Sequence, residues 1–421
     1  MRYVERTCAA RRMARSVHVL TDMNQTMRIT PRRACRPEFL ARIPIPLAVF
    51  LALTSPAFAQ PQSPPVAPSS DEVRASVTRS AERYFKDAPQ AVALSIGVFK
   101  DGSTYIYNFG SVHRNKHDLP SADTLYPIAS ITKTFTGTLL AQAALEGRLQ
   151  LTDDVRKYLD GAYPNLEYEG HPIELQFLVN HISGLPFNLP DIPGNRPPFA
   201  PSMSAKTLEF VNHYTRADFL RDLHSVKLTS VPGQKFSYSN AGAELLSLVL
   251  ERVYGESYEK LMQQKIAAPL GMKDTTISLT RSQRQRLAPG YDQDGEVNFE
   301  EPIMALGAAG LQSTVSDLLK YAAWETAEDN AAVKISHEPR LNPAPDYSFG
   351  LNWQMIRRGE AVRIWEDGSV PGFLSFCIMF PKLHMAIVVL TNELDPVTSK
   401  AFDAIVPSIA ESIDPRSSAL F

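Results

Sequence analysis

Two apolar-rich runs in the first third of the chain have the spacing of β-strands. They lie in "AVALSIGVFKDGSTYIYNFGSV" (91–112), where Lys100-Asp101-Gly102 separates them, and this pattern predicts a hairpin. Three more strand-like runs follow near the other end of the chain: "YSFGLNWQMI", "FLSFCIMF" and "MAIVVLTN". We therefore expect strands from both chain ends to form one five-stranded antiparallel sheet.

Helical spacing of apolar residues dominates the middle of the chain, as in "KTFTGTLLAQAALEG" and "NAGAELLSLVLERVYGESYEKLMQQKI". A capped amphipathic helix in "SSDEVRASVTRSAERYF" precedes the hairpin, and another helix follows the last strand at about 397–413. The pattern predicts an α/β (α+β) fold. Its sheet regions, about 73–126 and 335–421, enclose a mostly helical inserted region at about 127–334.

The first 59 residues differ in composition from the rest of the chain. They contain ten arginines, no lysine and only three acidic residues. The short apolar run "IPIPLAVFLAL" (43–53) then leads to Ala57-Phe58-Ala59, which fits the small-x-small cleavage site of a secretory signal peptide. We expect cleavage after Ala59, a periplasmic mature protein, and a Pro/Ser linker over 60–72. The start codon is either Met1 or Met27.

Removal of this leader changes the charge of the protein. It leaves 33 basic and 42 acidic residues, a net charge of −9, which argues against binding of nucleic acid. Cys377 is then the single cysteine, so we expect neither an intrachain disulfide nor a metal site, and no cofactor. No apolar run reaches the roughly 18 residues of a membrane span. The expected partner is a small-molecule or peptide substrate, and the oligomeric state is open.

One long loop contains six prolines within sixteen residues, "PFNLPDIPGNRPPFAP" (186–201). That is too many for a helix or a central strand. Long structured loops often form a wall or lid of a binding site, but they also occur as surface excursions, and the sequence leaves both open.

The segment "YPIASITKTFTG" contains Ser130 with Lys133 three residues later. With 34 serines and 15 lysines, chance gives about one S-x-x-K, and the chain has a second in Ser257 and Lys260. Only the first pair starts a strongly apolar helix, so Ser130 would lie at a helix N-terminus, where free N–H groups favour developing negative charge. A buried, neutral Lys133 could then act as the base for a serine nucleophile.

Two further segments add chemistry to this pair. In "PGQKFSYSNAGAELL", Tyr238 could transfer a proton and Asn240 could bind a substrate amide, although a second Y-x-N occurs at Tyr163 to Asn165. "WEDGSVPGF" (365–373) leads into the strand "FLSFCIMF", which we expect at an edge of the sheet, and its glycine-rich backbone could supply an oxyanion donor.

The order of these features is that of a known family. The chain resembles the serine β-lactamase and penicillin-binding D,D-peptidase group, in the class C-like branch that includes D-alanyl-D-alanine carboxypeptidases/endopeptidases. That branch uses S-x-x-K, Y-x-N and a Lys- or His-x-Gly motif. The resemblance spans about 90–395 and includes "TLYPIASITKTF", "LVNHISGLP", "PGQKFSYSNAG", "PLGMKDTT", "GAAGLQSTVSDL" and "VVLTNE".

This resemblance implies an acyl-enzyme hydrolase. Ser130 would attack a carbonyl, Lys133 and Tyr238 would move protons, and Asn240 would contact substrate. The N–H groups of Ser130 and Ser369 would form the oxyanion hole, beside Gly368 of the x-x-Gly motif. We interpret Asp153, Asp154 and His181, which also match the family, as structural residues.

One position departs from the family pattern, because Glu366 stands where the motif has Lys or His. In relatives that cation helps to bind a substrate carboxylate, so we expect the glutamate to repel it unless a neighbour such as Arg363 compensates. The expected consequence is weaker action on β-lactams and D-Ala peptides, with a shift toward neutral or amine-bearing acyl substrates. The alternatives are an esterase on the same scaffold, or a non-catalytic protein that binds penicillin or cell-wall fragments.

Overall fold

The computed structural model describes residues 68–190, 213–297 and 306–421. The leader, most of the 60–72 linker, and residues 191–201 of the proline-rich loop therefore lie outside the described residues. Among the helices that are described, none combines the length and the apolar character that a membrane span requires.

The central feature is an eight-stranded antiparallel sheet with strand order β2-β1-β14-β13-β12-β11-β10-β9. Its strands are β1 (Ala93–Lys100), β2 (Ser103–Gly110), β9 (Leu341–Ala344), β10 (Tyr347–Phe349), β11 (Gln354–Arg358), β12 (Ala361–Val370), β13 (Phe373–Phe380) and β14 (Met385–Thr391). Three two-stranded ladders join β3 (Leu125–Pro127) to β8 (Gln312–Thr314), β4 (Glu167–Tyr168) to β5 (His171–Pro172), and β6 (Gly290–Asp292) to β7 (Gly295–Val297).

The predicted assembly of the sheet from both chain ends is confirmed, since β1 pairs with β14. The predicted strand count of five is too low. "YSFGLNWQMI" forms two strands because the chain turns at Asn352, whose φ is 61°. The segment 361–370 is itself a strand, and β13 lies between β12 and β14, so the expectation of an edge strand there is wrong.

The helical middle of the chain also agrees with the pattern. The α-helices within the described residues are α1 (Ser70–Asp87), α2 (Thr132–Leu145), α3 (Leu175–Val179), α4 (Arg216–Leu223), α5 (Asn240–Tyr254), α6 (Tyr258–Met262), α7 (Arg281–Arg284), α8 (Leu306–Ala309), α9 (Val315–Ala327), α10 (Ala331–Ser336), α11 (Pro396–Asp403) and α12 (Ile405–Ile413).

Local sequence explains where the first and last helices begin and end. Ser69 caps α1 in a reciprocal capping box with Glu72, so this helix already begins at Ser70, inside the predicted linker. The single helix predicted at 397–413 is divided into α11 and α12, because Pro407 has no N–H to donate to the carbonyl of Asp403.

Both faces of the sheet are covered, which gives the core two layers. One face packs on α9, and its residues such as Ile364, Cys377 and Val388 belong to the same buried cluster as α2 and α5. The other packs on α1 and α12 through residues such as Ile378 and Ile387. Cys377 is fully buried and burial raises the pKa of its thiol, so it is the buried thiol that its apolar context predicts.

Candidate active site

Ser130 lies in a single 3₁₀ turn, Ala129–Ile131, that leads directly into α2. The preceding Ala129 has a φ of 47°, a left-handed conformation that a residue with a Cβ adopts only under constraint. The side chains after Ser130 in α2 are buried through Ala141, while Ser130 itself keeps access to solvent. The predicted placement at a helix N-terminus is confirmed.

Lys133 is fully buried one turn after Ser130. Its Nζ lies 2.9 Å from Ser130 Oγ and donates to the Ala308 carbonyl at 2.8 Å. Burial lowers the pKa of Lys133 to about 7, and the carboxyl groups of Glu366 and Asp367 oppose that shift. A substantial neutral fraction of this amine therefore exists at neutral pH.

Tyr238 completes the set around the serine. Its hydroxyl donates to Ser130 Oγ at 2.8 Å, and Lys133 Nζ lies 5.0 Å from the centre of its ring. Burial, reinforced by Glu366, raises the pKa of Tyr238 well above its ordinary value. The phenol is therefore protonated, and of the two groups beside Ser130 only the Lys133 amine has a neutral fraction able to accept a proton.

The imidazole of His181 packs against the ring of Tyr238. Its ring stacks on Tyr238 with centroids 4.2 Å apart, and its Nδ1 accepts the N–H of Ser239 at 3.2 Å. Burial and the nearby Lys133 lower the pKa of His181 to about 3, so the imidazole is neutral and carries its proton on Nε2. This agrees with the structural role expected for it.

Asn240 begins α5, directly after the cap residue Ser239. Its amide nitrogen donates to Asn188 Oδ1 at 2.8 Å, and its backbone N–H donates to Phe187 at 2.7 Å. The Oδ1 of Asn240 accepts no hydrogen bond from the described part of the chain. The described start of the proline-rich loop, 186–190, thus positions the asparagine.

Strand β12 passes directly against the nucleophile at Gly368. A Cβ built there would lie 2.8 Å from the Ser130 nitrogen, 2.7 Å from the Ile128 carbonyl and 2.6 Å from Ser375 Oγ. Beyond Trp365, β12 pairs with β13 but no longer with β11. The backbone around Gly368 and the exposed Ser369 therefore lies beside Ser130, where an oxyanion donor would be needed.

The structure revises the electrostatic expectation for Glu366. The side chain is buried, and burial raises its pKa well above the ordinary value, which favours its uncharged form over a repelling anion. Its neighbour Asp367 has a pKa raised to about 6 by burial and is the charged member. Neither is the cation that the family motif places here.

Arg363 does not pair with Glu366 to offset its negative charge, which the sequence had left open. The guanidinium of Arg363 lies over the rings of Trp365 and Phe421, 4.3 and 4.7 Å from their centres. Glu366 instead accepts from the Gln354 amide at 3.2 Å, and the same amide lies 3.5 Å from Asp367. Sequence reasoning did not identify Gln354, because the contact depends on the pairing of β11 with β12.

The rival motif matches are structural. Ser257 caps α6, and Lys260 forms an exposed ion pair with Glu256 at 2.7 Å. In the second Y-x-N, Asn165 donates to the carbonyls of Leu223 and Val226.

The two acidic residues singled out as structural form local bonds. Asp153 accepts the Gln150 N–H at 2.7 Å, and Asp154 caps the turn at Arg156 and binds its guanidinium.

A match to the model of the family described as Beta-lactamase covers residues 79–408. The chain belongs to the beta-lactamase family. It is a serine hydrolase.

Curated relatives of this β-lactamase-family enzyme include both peptidases and lactamases by name. D-alanyl-D-alanine-carboxypeptidase/endopeptidase AmpH of Escherichia coli strain K12 is 27% identical over 360 residues, which are 81% of this chain and 88% of that protein. "Protein flp" of Staphylococcus aureus strain N315 is 27% identical over 314 residues, covering 71% of this chain but 59% of its own length. A Beta-lactamase of Pseudomonas fluorescens is 29% identical over 231 residues, covering 54% of this chain and 58% of its own.

Solved structures confirm the fold. A Beta-lactamase/D-alanine Carboxypeptidase from Yersinia pestis, complexed with citrate, superimposes with a TM-score of 0.70 at 24% identity, covering 82% of this chain and 100% of that one. A class C β-lactamase superimposes with a TM-score of 0.68 at 21% identity, covering 82% of this chain and 97% of that one.

The family match does not by itself identify every group around Ser130. The Ala308 carbonyl, which accepts from Lys133, lies in "GAAGLQSTVSDL", a segment that carries the resemblance without an assigned role. A backbone acceptor has no side-chain signature, so only the packing of α8 against α2 reveals it.

Proposed function

We propose that this enzyme is an exported serine hydrolase that forms an acyl-enzyme on Ser130, acting on D-Ala-containing peptidoglycan peptides or β-lactams. One observation carries the proposal: Ser130 Oγ lies within 2.9 Å of the buried Lys133 amine and 2.8 Å of the Tyr238 hydroxyl. The names of the relatives, a D-alanyl-D-alanine carboxypeptidase/endopeptidase and a β-lactamase, support the substrate class.

Acylation begins with the neutral fraction of Lys133. Its lone pair takes the hydroxyl proton of Ser130 while Oγ forms a bond to the carbonyl carbon of the substrate. The carbonyl electron pair moves to oxygen, and the N–H groups of Ser130 and Ser369 stabilise that negative charge. The Oδ1 of Asn240, which accepts no hydrogen bond from the described residues, takes an N–H of the substrate amide.

Collapse of the tetrahedral intermediate needs a proton for the leaving group. Tyr238 donates its hydroxyl proton to the leaving nitrogen and is reprotonated by the Lys133 ammonium, as the carbon–nitrogen bond breaks. Water then attacks the ester, releases the acid and returns the proton to Ser130. The raised pKa of Tyr238 suits this transfer role, because the phenol begins and ends protonated.

A reporter-labelled penicillin tests the acyl-enzyme. We expect one adduct by intact mass, located at Ser130 by peptide mapping and lost in Ser130→Ala. The matched control is Ser257→Ala, which removes the serine of the other S-x-x-K and should label like the wild type. Failure of folded wild-type protein to label, together with no turnover of any ester or amide substrate, would favour the non-catalytic binding function.

An esterase is the second candidate, and Glu366 and Asp367 favour it. Two buried acidic residues, Glu366 and Asp367, occupy the position where the resemblance leads us to expect a cation, and neither attracts a substrate carboxylate. Substrates that are neutral or bear an amine avoid this mismatch. Fast cleavage of a p-nitrophenyl ester without penicillin labelling would select the esterase.

The Glu366→Lys substitution tests whether this position determines the substrate. We expect at least a tenfold gain in kcat/KM for a carboxylate-bearing β-lactam, corresponding to about 1.4 kcal/mol of transition-state binding, with little gain for a neutral ester. Glu366→Gln is the control, since it preserves size without adding charge. Unchanged β-lactam turnover in Glu366→Lys would contradict the electrostatic argument.

A further inference from the structure

The segment from Leu306 to Leu311 is attached along one side of α2. Thr136 Oγ1 donates to the Gly307 carbonyl at 2.7 Å, and Lys133 Nζ donates to the Ala308 carbonyl at 2.8 Å. The Leu311 N–H in turn donates to Thr132 Oγ1 at 3.2 Å. The middle bond of the three determines where the amine of Lys133 points.

A buried carboxylate holds the same segment from its other side. Glu244 is 3% exposed and its Oε2 accepts the Gly307 N–H at 3.1 Å. Glu244 belongs to α5, the helix that begins directly after Tyr238 and Ser239. One side chain therefore links the helix next to the proton-transferring tyrosine to the segment that orients the lysine.

The packing at Gly307 allows little adjustment of this link. A Cβ there would lie 2.7 Å from Ser247 Cβ and 2.9 Å from the Ala243 carbonyl, so the backbone of the segment lies directly on α5. The hydrogen bond from Gly307 to Glu244 and this close packing restrain the same backbone. Glu244 is therefore placed to hold the Leu306–Gly307 peptide, and with it the short segment that carries the Ala308 carbonyl, in one orientation.

This orientation matters for the base. A neutral amine has two N–H bonds and one lone pair. When one N–H is directed to the Ala308 carbonyl, the lone pair of Lys133 can face the Ser130 hydroxyl; without that acceptor the amine can rotate away from it. We propose that Glu244 is a positioning residue for acylation, acting through Gly307 and Ala308 on Lys133. This inference rests on the proposed acyl-enzyme function.

Substitution of Glu244 tests the role through the balance of kcat and KM. We expect Glu244→Ala to lower kcat and the rate of Ser130 acylation about 30-fold, since misplacement of a catalytic group costs up to about 100-fold, while KM changes less than about threefold. Glu244→Gln, whose amide oxygen can still accept the Gly307 N–H, should recover activity to within about fivefold of the wild type. A purely structural residue would not produce this combination.

The control is Asp317→Asn. The Asp317 carboxyl group is similarly buried and accepts the Asp274 N–H at 2.7 Å, but it makes no hydrogen bond to the 306–311 segment. The Asp317→Asn substitution should lower the melting temperature without lowering kcat. If Glu244→Ala does not fold, Glu244→Asp, which withdraws the carboxylate by one methylene, should fold and lose about tenfold in kcat. Gly307→Ala should displace the backbone of the segment from α5, because its new methyl group has no room there, and should give the same kinetic defect.

The outcomes separate this inference from the proposed function. Absence of any adduct on wild-type Ser130 would reject the acyl-enzyme itself. Normal wild-type labelling together with unchanged kcat in Glu244→Ala or Glu244→Asp would reject only the role of Glu244. A loss in Glu244→Gln equal to that in Glu244→Ala would also reject it, because the hydrogen bond to Gly307 would then not be the cause.

Discussion

At the scale of single residues, burial changes the chemistry of Lys133 more than any neighbour does. The fully buried amine has a pKa of about 7, whereas an ordinary lysine remains charged to about pH 10. The carboxyl groups of Glu366 and Asp367 act in the opposite direction. Desolvation is therefore the effect that gives this lysine its neutral fraction, because the nearby carboxyl groups favour the cation.

The pH dependence of acylation follows from this balance. Because the proposed base is the neutral amine, kcat/KM for a non-titrating ester should rise with pH through about 7, the pKa of Lys133. Glu366→Gln removes a carboxyl group that favours the lysine cation, so the rising limb should move to lower pH. The measurement is the pH profile of both proteins.

Asp403 provides the control for this profile, because burial raises its pKa to about 7 as well. The rising limb should survive in Asp403→Asn. Two results would contradict the assignment of this rise to Lys133. One is a kcat/KM that no longer rises with pH in Asp403→Asn, and the other is a rise that moves to higher pH in Glu366→Gln.

Gly368 is the other residue whose identity the site requires. In Gly368→Ala the new methyl would come within 2.6–2.8 Å of Ser375 Oγ and Ser130 N, so β12 must move away from the nucleophile. We expect a loss of about 100-fold or more in kcat/KM. Ser369→Ala on the same strand keeps its backbone N–H and should retain most activity. Equal activity of the two variants would exclude a close approach of β12.

At the scale of elements, a buried ion-pair group joins α9 to α10. His337, the residue that follows α10, lies 3.0 Å from Glu325 and 2.9 Å from Glu328 through its two ring nitrogens. Although burial disfavours its charge, the two carboxylates outweigh it and raise the pKa of His337. Glu325 also accepts from Thr138 of α2 at 3.1 Å, so this group supports the helix that carries the active-site serine and lysine.

Stability should therefore depend on pH through His337. Because its folded-state pKa is raised, its contribution is fully present below the unfolded pKa of about 6.5 and is lost as pH rises through the folded value. His337→Gln should destabilise the protein by roughly 3 kcal/mol at pH 6 and by less at pH 9, as measured by denaturant unfolding. His384→Gln, at an exposed turn position, should show no such trend. A penalty that grows with pH would contradict the role of the imidazolium.

At the scale of the whole molecule, the two chain ends build one sheet and the helical middle covers it. The nucleophile lies at the boundary, where the turn before α2 meets β12, and the helical region adds Tyr238 and the Ala308 carbonyl. The site is therefore complete only when both parts are packed together.

The location of the mature N-terminus belongs to this scale. If the leader is a signal peptide, protein recovered from the periplasm should begin at Gln60, and intact mass with N-terminal sequencing would show it. Ala57→Lys and Ala59→Lys should block processing, while a lysine at Gln62, beyond the site, should not. Recovery of unprocessed protein from the cytoplasm alone would contradict export. The mass of the unprocessed form distinguishes Met1 from Met27.

Much of this arrangement could be predicted from local sequence. Apolar spacing predicts the hairpin, the capped first helix and α2. The residue at which that spacing starts predicts that Ser130 lies at the N-terminus of α2. These features depend on neighbours a few residues apart, which is the range over which periodicity and capping act. The five-strand prediction was too low for three reasons. The chain breaks at Asn352, 361–370 mixes charged and glycine residues inside a central strand, and the short edge strand β9 contains Pro343.

The sequence alone determined the family, the nucleophile candidate and the order of the motifs, since these depend on residue type and spacing. Tertiary structure alone decided the protonation of the site. The burial of Lys133, the raised pKa of Glu366, the contact of Gln354 with Glu366 and the contact of Glu244 with Gly307 all depend on residues far apart in the chain. Desolvation is a property of the packed interior, so no linear pattern of residue types could have revealed these effects.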